Sequence, residues 1–145
     1  MRIIIQRVKQ ASVTIDQALH SSIKSGLLCF VGFRNDDTKD DFVWAEKKLF
    51  NLKLFKNQQS LSDINGDLLI VSQFTLYASI KKGMKPSWSK AANANTASVL
   101  YKQFIDICKE KKCNNIQTGV FGADMDINCI NDGPLTIIID TKKRE

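Results

Sequence analysis

Residues 68–76 (Leu-Leu-Ile-Val-Ser-Gln-Phe-Thr-Leu) pass from an unbroken apolar, β-branched run to hydroxyl and amide side chains, with no charge among them. Such a run is the mark of a strand buried on both faces. Its polar end therefore places Ser72, Gln73 and Thr75 where a core strand stops. If the strand continues, alternation sets Ser72, Phe74 and Leu76 on one face and Gln73 and Thr75 on the other. Two roles fit this composition. Small polar residues at a strand end satisfy local backbone groups. Alternatively, backbone N–H groups freed there, with Ser72 and Thr75 beside them, bind a negative charge that develops during acyl transfer.

Other chemistries lack their residues. The single histidine, His20, lies in a segment of turn composition, residues 16–22, and is expected to be solvated. A Ser/His/Asp or Cys/His nucleophile system would need it beside Ser72, Thr75 or a cysteine, and no pattern brings it there. The four cysteines, Cys29, Cys108, Cys113 and Cys129, form no CxxC pair and are far from His20 in sequence, so no zinc site of ordinary spacing is expected. Cys108 and Cys113 read as a core and a surface residue. No GxGxxG follows a strand and no GxxxxGK[ST] occurs, so nucleotide-cofactor sites are unsupported and no cofactor is expected. A site made of backbone groups can polarise an ester carbonyl, but it needs a proton acceptor from elsewhere.

Next to the polar strand end, residues 77–90 interleave Lys81, Lys82, Lys85 and Lys90 with Tyr77 and Trp88. This is either a solvated surface loop or a basic arm that grips phosphates and stacks bases. The formal charge of +6, from 21 Lys and Arg against 15 Asp and Glu, suits an anionic partner and equally suits solubility.

The elements that must position these residues follow from periodicity. Residues 2–8 read as a strand and residues 11–15 as a second strand returning beside it. Residues 26–33 (GLLCFVGF) carry the two-sided burial signature of a central strand. Thr38 offers an N-cap, Asp40 and Asp41 suit a first turn, and Phe42, Ala45, Leu49 and Leu52 recur at helical spacing, which predicts a helix over 38–51. Trp44, Lys47 and Lys48 fall on its solvated face. A short strand near 52–55, a turn at Asn65-Gly66 and a second helix over 91–112, with Ala97, Leu100, Phe104 and Ile107 or Cys108 inward, come next. Strands are expected at 116–121, 125–131 and 135–140, with a turn at 131–134 and a flexible basic tail at 141–145. At 145 residues and 43% hydrophobic content this is one domain of the α+β class, residues 1–145, a barrel-like β-sheet core with two main amphipathic helices packed outside. Three consecutive isoleucines at the start are too short for a signal sequence and no long apolar span follows, which predicts a cytoplasmic protein with reduced thiols.

Two motifs together, Ser72-Gln73-Phe74-Thr75-Leu76 and Asn131-Asp132-Gly133-Pro134-Leu135-Thr136, resemble the signature pair of the D-aminoacyl-tRNA deacylase (D-tyrosyl-tRNA deacylase) family. The resemblance extends to the N-terminal MRIIIQRVKQASVTI, to GLLCFVGF, to KGMKPSWSKAA and to TGVFGADM, in order along the whole chain. The SQFTL form is that of the D-specific members. The resemblance implies hydrolysis of the ester of D-aminoacyl-tRNA, and of mischarged glycyl-tRNA, as chiral proofreading by a homodimer. It implies a cis Gly133-Pro134 peptide that enters the partner's active site and leaves an L side chain no room.

By the same resemblance, the backbone amides around Ser72, Gln73 and Phe74 form an oxyanion pocket. Thr75 is either a nucleophile or, as favoured here, a positioning residue, with the terminal ribose 2′-hydroxyl of the tRNA assisting attack by water. Phe121, Gly122, Ala123 and Met125 line the terminal-adenosine pocket, and Lys81, Lys82 and Lys85 hold acceptor-stem phosphates. Where family members often carry arginines and a phenylalanine in this loop, this chain has Met84, Lys85 and Trp88, which removes fork-like arginine contacts. A non-catalytic RNA-binding module is the alternative from another class. A general esterase is a third reading, disfavoured by the missing general base.

Overall fold

Residues 2–15 form one strand where two were expected. In the computed structural model, which describes residues 1–111 and 115–144, β1 runs unbroken as Arg2–Ile15. Lys9-Gln10 has no turn chemistry, and the two halves of β1 find different neighbours. Arg2 to Val8 pair antiparallel with β3, Gly26–Gly32, and Ala11 to Ile15 pair antiparallel with β2, Ala18–Ile23. The real reversal is the two-residue turn Asp16-Gln17, with φ of 49° and 64°, the left-handed pair that a tight hairpin requires. His20 thus sits on β2 and not in a turn, and it is exposed as expected.

The two-sided burial expected of the central strands is present. In β3, Leu27, Cys29 and Val31 face one apolar cluster and Leu28 the other. In β4, Asp67–Ser72, Leu68 and Ile70 face the first cluster, Leu69 and Val71 the second. The first cluster lies under the helices and the second is enclosed by the curling sheet. Strand order is β2-β1-β3-β4-β5, with β5 at Ile116–Thr118, and β6, Asp126–Asp140, running along the other edge of β1. Strands β3, β4 and β5 are parallel neighbours. The hydroxyl of Ser21 donates to the Thr118 carbonyl at 3.0 Å, drawing β2 toward β5 and nearly closing a barrel.

Helix α1, Lys39–Asn51, begins at Thr38, whose N–H donates to the Asp41 carboxylate at 2.9 Å. It buries Phe42, Ala45, Leu49 and Phe50. Trp44, on the expected outer face, lies under the guanidinium of Arg144 at 5.0 Å and near the Lys48 ammonium at 5.5 Å. Helix α2, Ala94–Lys109, starts three residues later than its periodicity suggested. Ala92 spends its N–H on the Phe33 carbonyl (2.8 Å), and Asn93 caps the helix by accepting from the Thr96 N–H (2.9 Å). Its inner face is Ala97, Tyr101, Phe104 and Cys108, with Leu100 only half-buried. The expected end of this helix at Lys112, and Cys113, lie outside the described residues.

No strand forms at 52–55. Phe55 instead bonds across to Gln59 around a tight 3₁₀ turn, Lys56–Gln58, with Asn57 and Gln58 at positive φ. Strand β5 ends at Thr118, short of Phe121. Two further expected strands are one, because β6 continues through 131–134 as a bulge and not a turn. Gln6 pairs with Thr136 and Val8 with Asn131, so residues 132–135 are looped out opposite Arg7 alone. In the basic tail, Lys142 donates to the Asp41 carboxylate at 2.7 Å and Arg144 lies 3.7 Å from it, so these charges rest on the acidic N-terminus of α1. Among the described residues no helix is long and apolar enough to cross a membrane.

Candidate active site

Strand β4 stops at Ser72, and its last ladder bond is the Gln73 N–H to the Val31 carbonyl at 2.7 Å. The chain then folds into a 3₁₀ turn, Phe74–Tyr77, so the alternation expected beyond Ser72 does not occur. Gly32 permits the fold, since a Cβ there would lie 2.9 Å from the Gln73 carbonyl and 3.1 Å from the Leu76 Cβ. Burial of the Tyr77 ring draws the turn down, and that ring is therefore unavailable for stacking bases. Arg2 fixes the turn from beneath. It donates to the Leu76 carbonyl (3.0 Å) and to Asp140 (2.8 Å), with its guanidinium 4.8 Å from the Tyr77 ring centroid.

This geometry sorts the amides expected to bind an oxyanion. Gln73 is spent on Val31 and is removed from that set. Ser72 points its N–H the other way, toward β5, whose ladder with β4 ended at Ile70 and Thr118. The first bond of the 3₁₀ turn is Leu76 N–H to the Gln73 carbonyl (3.4 Å), so the Phe74 and Thr75 amides precede it and are not consumed by the turn.

A cavity of 760 Å³ opens beside this strand end. Ser72, Gln73 and Phe74 form one wall; Phe121, Gly122, Ala123 and Met125 form another; the start of α2 forms the third. The second wall is shaped by glycine. Gly122 adopts φ +78°, and a Cβ on Gly119 would lie 2.7 Å from the Met125 sulfur, so Met125 packs against bare backbone. Phe121 leans on Tyr101 with centroids 6.0 Å apart, and the Tyr101 hydroxyl donates to the Ile70 carbonyl at 2.8 Å. Burial pushes the Tyr101 hydroxyl well above its ordinary pKa, which keeps it a neutral donor. Phe74 and Trp88, both in the lining and both exposed, meet edge to face with centroids 5.2 Å apart.

Three groups of expected site residues lie elsewhere. Thr75 is exposed on the turn and does not line the cavity. Lys81, Lys82 and Lys85 are exposed on a small hairpin closed by two backbone bonds between Ser79 and Ser87, at 2.8 and 2.9 Å. Gly133 and Pro134 are exposed on the β6 bulge, outside the cavity of their own protomer, and their peptide bond is cis.

Two further residues come from the structure alone. Asp124 is, among the described residues, the one ionisable side chain lining the cavity. Arg7 underpins the bulge, donating to the Asp132 carbonyl at 3.2 Å and to the Leu54 carbonyl and pairing with the Asp132 carboxylate at 3.2 Å. Asn131 ties the base of the bulge by donating to the Gln6 side chain at 2.7 Å. Gly133, at φ +119°, would place a Cβ 2.5 Å from the Arg7 guanidinium. Arg7 could have been flagged in sequence, because it extends the alternation of the buried Ile3 and Ile5 and so puts a charge on an inward position.

Comparison with known proteins agrees with these motifs. A model of the family described as D-Tyr-tRNA(Tyr) deacylase matches residues 4–140. A protein of Flavobacterium psychrophilum named D-aminoacyl-tRNA deacylase is 45% identical over 150 residues, covering 100% of each chain. One of the same name from Clostridium novyi is 47% identical over 148 residues, covering 99% of each. Among solved structures, a c-Myc DNA unwinding element binding protein superposes with a TM-score of 0.91 at 32% identity, covering 97% of this chain and 98% of that one. A probable eukaryotic D-amino acid tRNA deacylase superposes with a TM-score of 0.84 over 95% of this chain and 97% of its own; at 18% identity it speaks to the fold.

Proposed function

The chain belongs to the D-Tyr-tRNA(Tyr) deacylase family, and on that premise we propose that it is a chiral proofreader that cleaves the ester of D-aminoacyl-tRNA, and of mischarged glycyl-tRNA, releasing the amino acid. The enzyme is a D-aminoacyl-tRNA deacylase, a hydrolase of ester bonds. The observation that carries the mechanism is a cavity rich in main chain and apolar side chains, with the Phe74 amide, not consumed by the turn, at one end and, among the described residues, a single ionisable side chain. The Phe74 amide polarises the ester carbonyl and holds the oxyanion as water attacks. Phe121, Gly122, Ala123 and Met125 enclose the terminal adenosine, whose 2′-hydroxyl assists the water. Lys81, Lys82 and Lys85 meet acceptor-stem phosphates, in the cytoplasm where charged tRNA is made.

Selectivity comes from a second copy. Gly133 and Pro134 cannot serve the cavity of their own protomer, and β6 pairs only with β1 among the described strands, leaving an edge on which Ile130 and Ile138 are exposed. In the homodimer, the Gly133-Pro134 carbonyls of one subunit reach the α-amino group held by the other and leave no space on the L side. Backbone recognition is blind to side-chain identity, so many D-amino acids and achiral glycine fit.

The test is mixed-dimer complementation. Gly133→Val spoils the donated motif and Ala123→Trp fills the cavity, so each variant alone is inactive on D-aminoacyl-tRNA. Mixing and reassociating them builds one intact site per heterodimer and restores D-specific release. Failure of the mixture, with heterodimers present, overturns the shared site; equal release from D- and L-aminoacyl-tRNA by the wild type overturns the proofreading role.

A further inference from the structure

Trp88 occupies an unusual position for an indole. It is 42% exposed, yet the backbone on both sides of it is fixed. Before it, Ser87 is tied to Ser79 by two backbone bonds; after it, the Ala91 N–H closes a turn on the Trp88 carbonyl at 2.9 Å. Its ring is further held against Phe74, edge to face, on the wall of the cavity. An exposed aromatic held this rigidly on a cavity rim is a preorganised surface and not a mobile side chain.

The surrounding charge says what it is prepared for. Lys85 and Lys90 flank it in sequence, and Lys81 and Lys82 lie on the hairpin that ends one residue before it; among the described residues none of the four has an ion-pair partner. Exposed lysines close in sequence to an exposed indole are suited to single-stranded nucleic acid, in which phosphates meet lysines and bases stack on aromatic faces. Under the functional reading above, on which this inference rests, the cavity holds the terminal adenosine with its acyl group. Phe74 and Trp88 are exposed residues of the cavity's lining, and a strand leaving the cavity on that side passes over both.

We propose that Trp88 is the stacking platform for the nucleobase immediately 5′ of the terminal adenosine, and so a specificity residue that requires an unpaired 3′ end of more than one nucleotide. It holds the strand in register and leaves the oxyanion groups untouched. Base stacking of this kind is lost by about 5- to 150-fold on truncation to alanine.

The experiment compares three D-aminoacyl esters: of adenosine alone, of a cytidylyl-adenosine dinucleotide, and of full-length tRNA. Trp88→Ala should lower kcat/KM on the dinucleotide and the tRNA by about 5- to 150-fold more than on the adenosine ester, with Trp88→Phe recovering most of the difference. A second arm changes the substrate: for the wild type, a tRNA lacking the base 5′ of the terminal adenosine should lose the same factor, and Trp88→Ala should add nothing to that loss. Equal losses on all three esters, or wild-type turnover indifferent to the missing base, would overturn the platform while leaving the functional reading intact. A wild type inactive on every D ester would overturn both.

Discussion

Two arginines on one strand, five residues apart, each hold a loop of the proposed chemistry by its carbonyl oxygens, and they do so against different backgrounds. Arg2 supports the 3₁₀ turn Phe74–Tyr77, which is also held by the buried Tyr77 ring, the close approach over Gly32 and the Gln73 to Val31 bond. Arg7 supports the β6 bulge, where Gly133 and Pro134 are exposed and contribute nothing to the core. A site meant to enclose a substrate can be anchored in its own core. In the proposed dimer the bulge is offered to another molecule and must stay on the surface, so polar ties have to replace apolar packing. The Arg7 side chain is accordingly the more enclosed, at 15% exposure against 40% for Arg2.

The largest effect should come from adding one carbon to the bulge. In Gly133→Ala the new Cβ would lie 2.5 Å from the Arg7 guanidinium at a backbone φ of +119°, which L side chains rarely adopt. A displacement of about 1 Å at a positioning element costs about 100-fold in rate. We expect at least that loss in kcat/KM on D-aminoacyl-tRNA, while an exposed position keeps the melting temperature within a few degrees. Wild-type activity from this variant would remove the bulge from the chemistry.

Next in size is Arg7→Ala, which strips the donors from the Asp132 and Leu54 carbonyls together. A loss of about 10- to 100-fold in D-specific activity, with weakened discrimination against the L ester, is expected from misplacement alone. Arg7→Lys should not rescue it, because a single ammonium cannot span both carbonyls. Arg2→Ala should cost less, about tenfold or below, because packing still holds the 3₁₀ turn; a loss equal to that of Arg7→Ala would erase the contrast.

Arg2 also carries a pH signature. Burial raises the Asp140 pKa, but hydrogen bonds from Arg2 and from the Lys142 amide outweigh it and hold the carboxyl below its ordinary value. A depressed carboxylate adds stability at pH values above its unfolded pKa, about 3.9, and loses it as pH falls. The gap in melting temperature between wild type and Arg2→Ala should therefore be full at pH 7 and shrink below about pH 4.

The same contrast explains what could be read in advance. Core strands announce themselves by composition, so β3, β4 and the polar end at Ser72 were legible, and the motif at 121–125 converged with it in one cavity. Features that depend on which groups are already satisfied were not. That the Gln73 amide is spent on Val31, or that β1 runs straight through Lys9-Gln10 because its halves have different partners, follows from tertiary pairing and from no local pattern. The bulge at 132–135 resembled a turn because Asn-Asp-Gly-Pro is turn composition, and only its pairing with β1 on both sides makes it part of a strand.

The smallest expected effect falls on the residue that composition would rank highest. Thr75 is the hydroxyl at the heart of the motif, yet it is exposed, it does not line the cavity, and its carbonyl is used to close the turn by accepting from the Ala78 N–H at 3.0 Å. A nucleophilic threonine needs a base to take its proton, and among the described residues the only ionisable side chain of the cavity is Asp124. Thr75→Ala preserves the backbone amides, so activity on D-aminoacyl-tRNA should stay within about threefold of wild type, the range of a surface substitution. Asp124→Asn should likewise fall well short of the roughly 100-fold minimum that removal of a general base produces. Loss of about 10,000-fold or more in Thr75→Ala, with accumulation of a covalent aminoacyl-enzyme in the wild type, would instead make the turn a source of side-chain chemistry. The first region would then no longer resemble the second in acting through main-chain atoms.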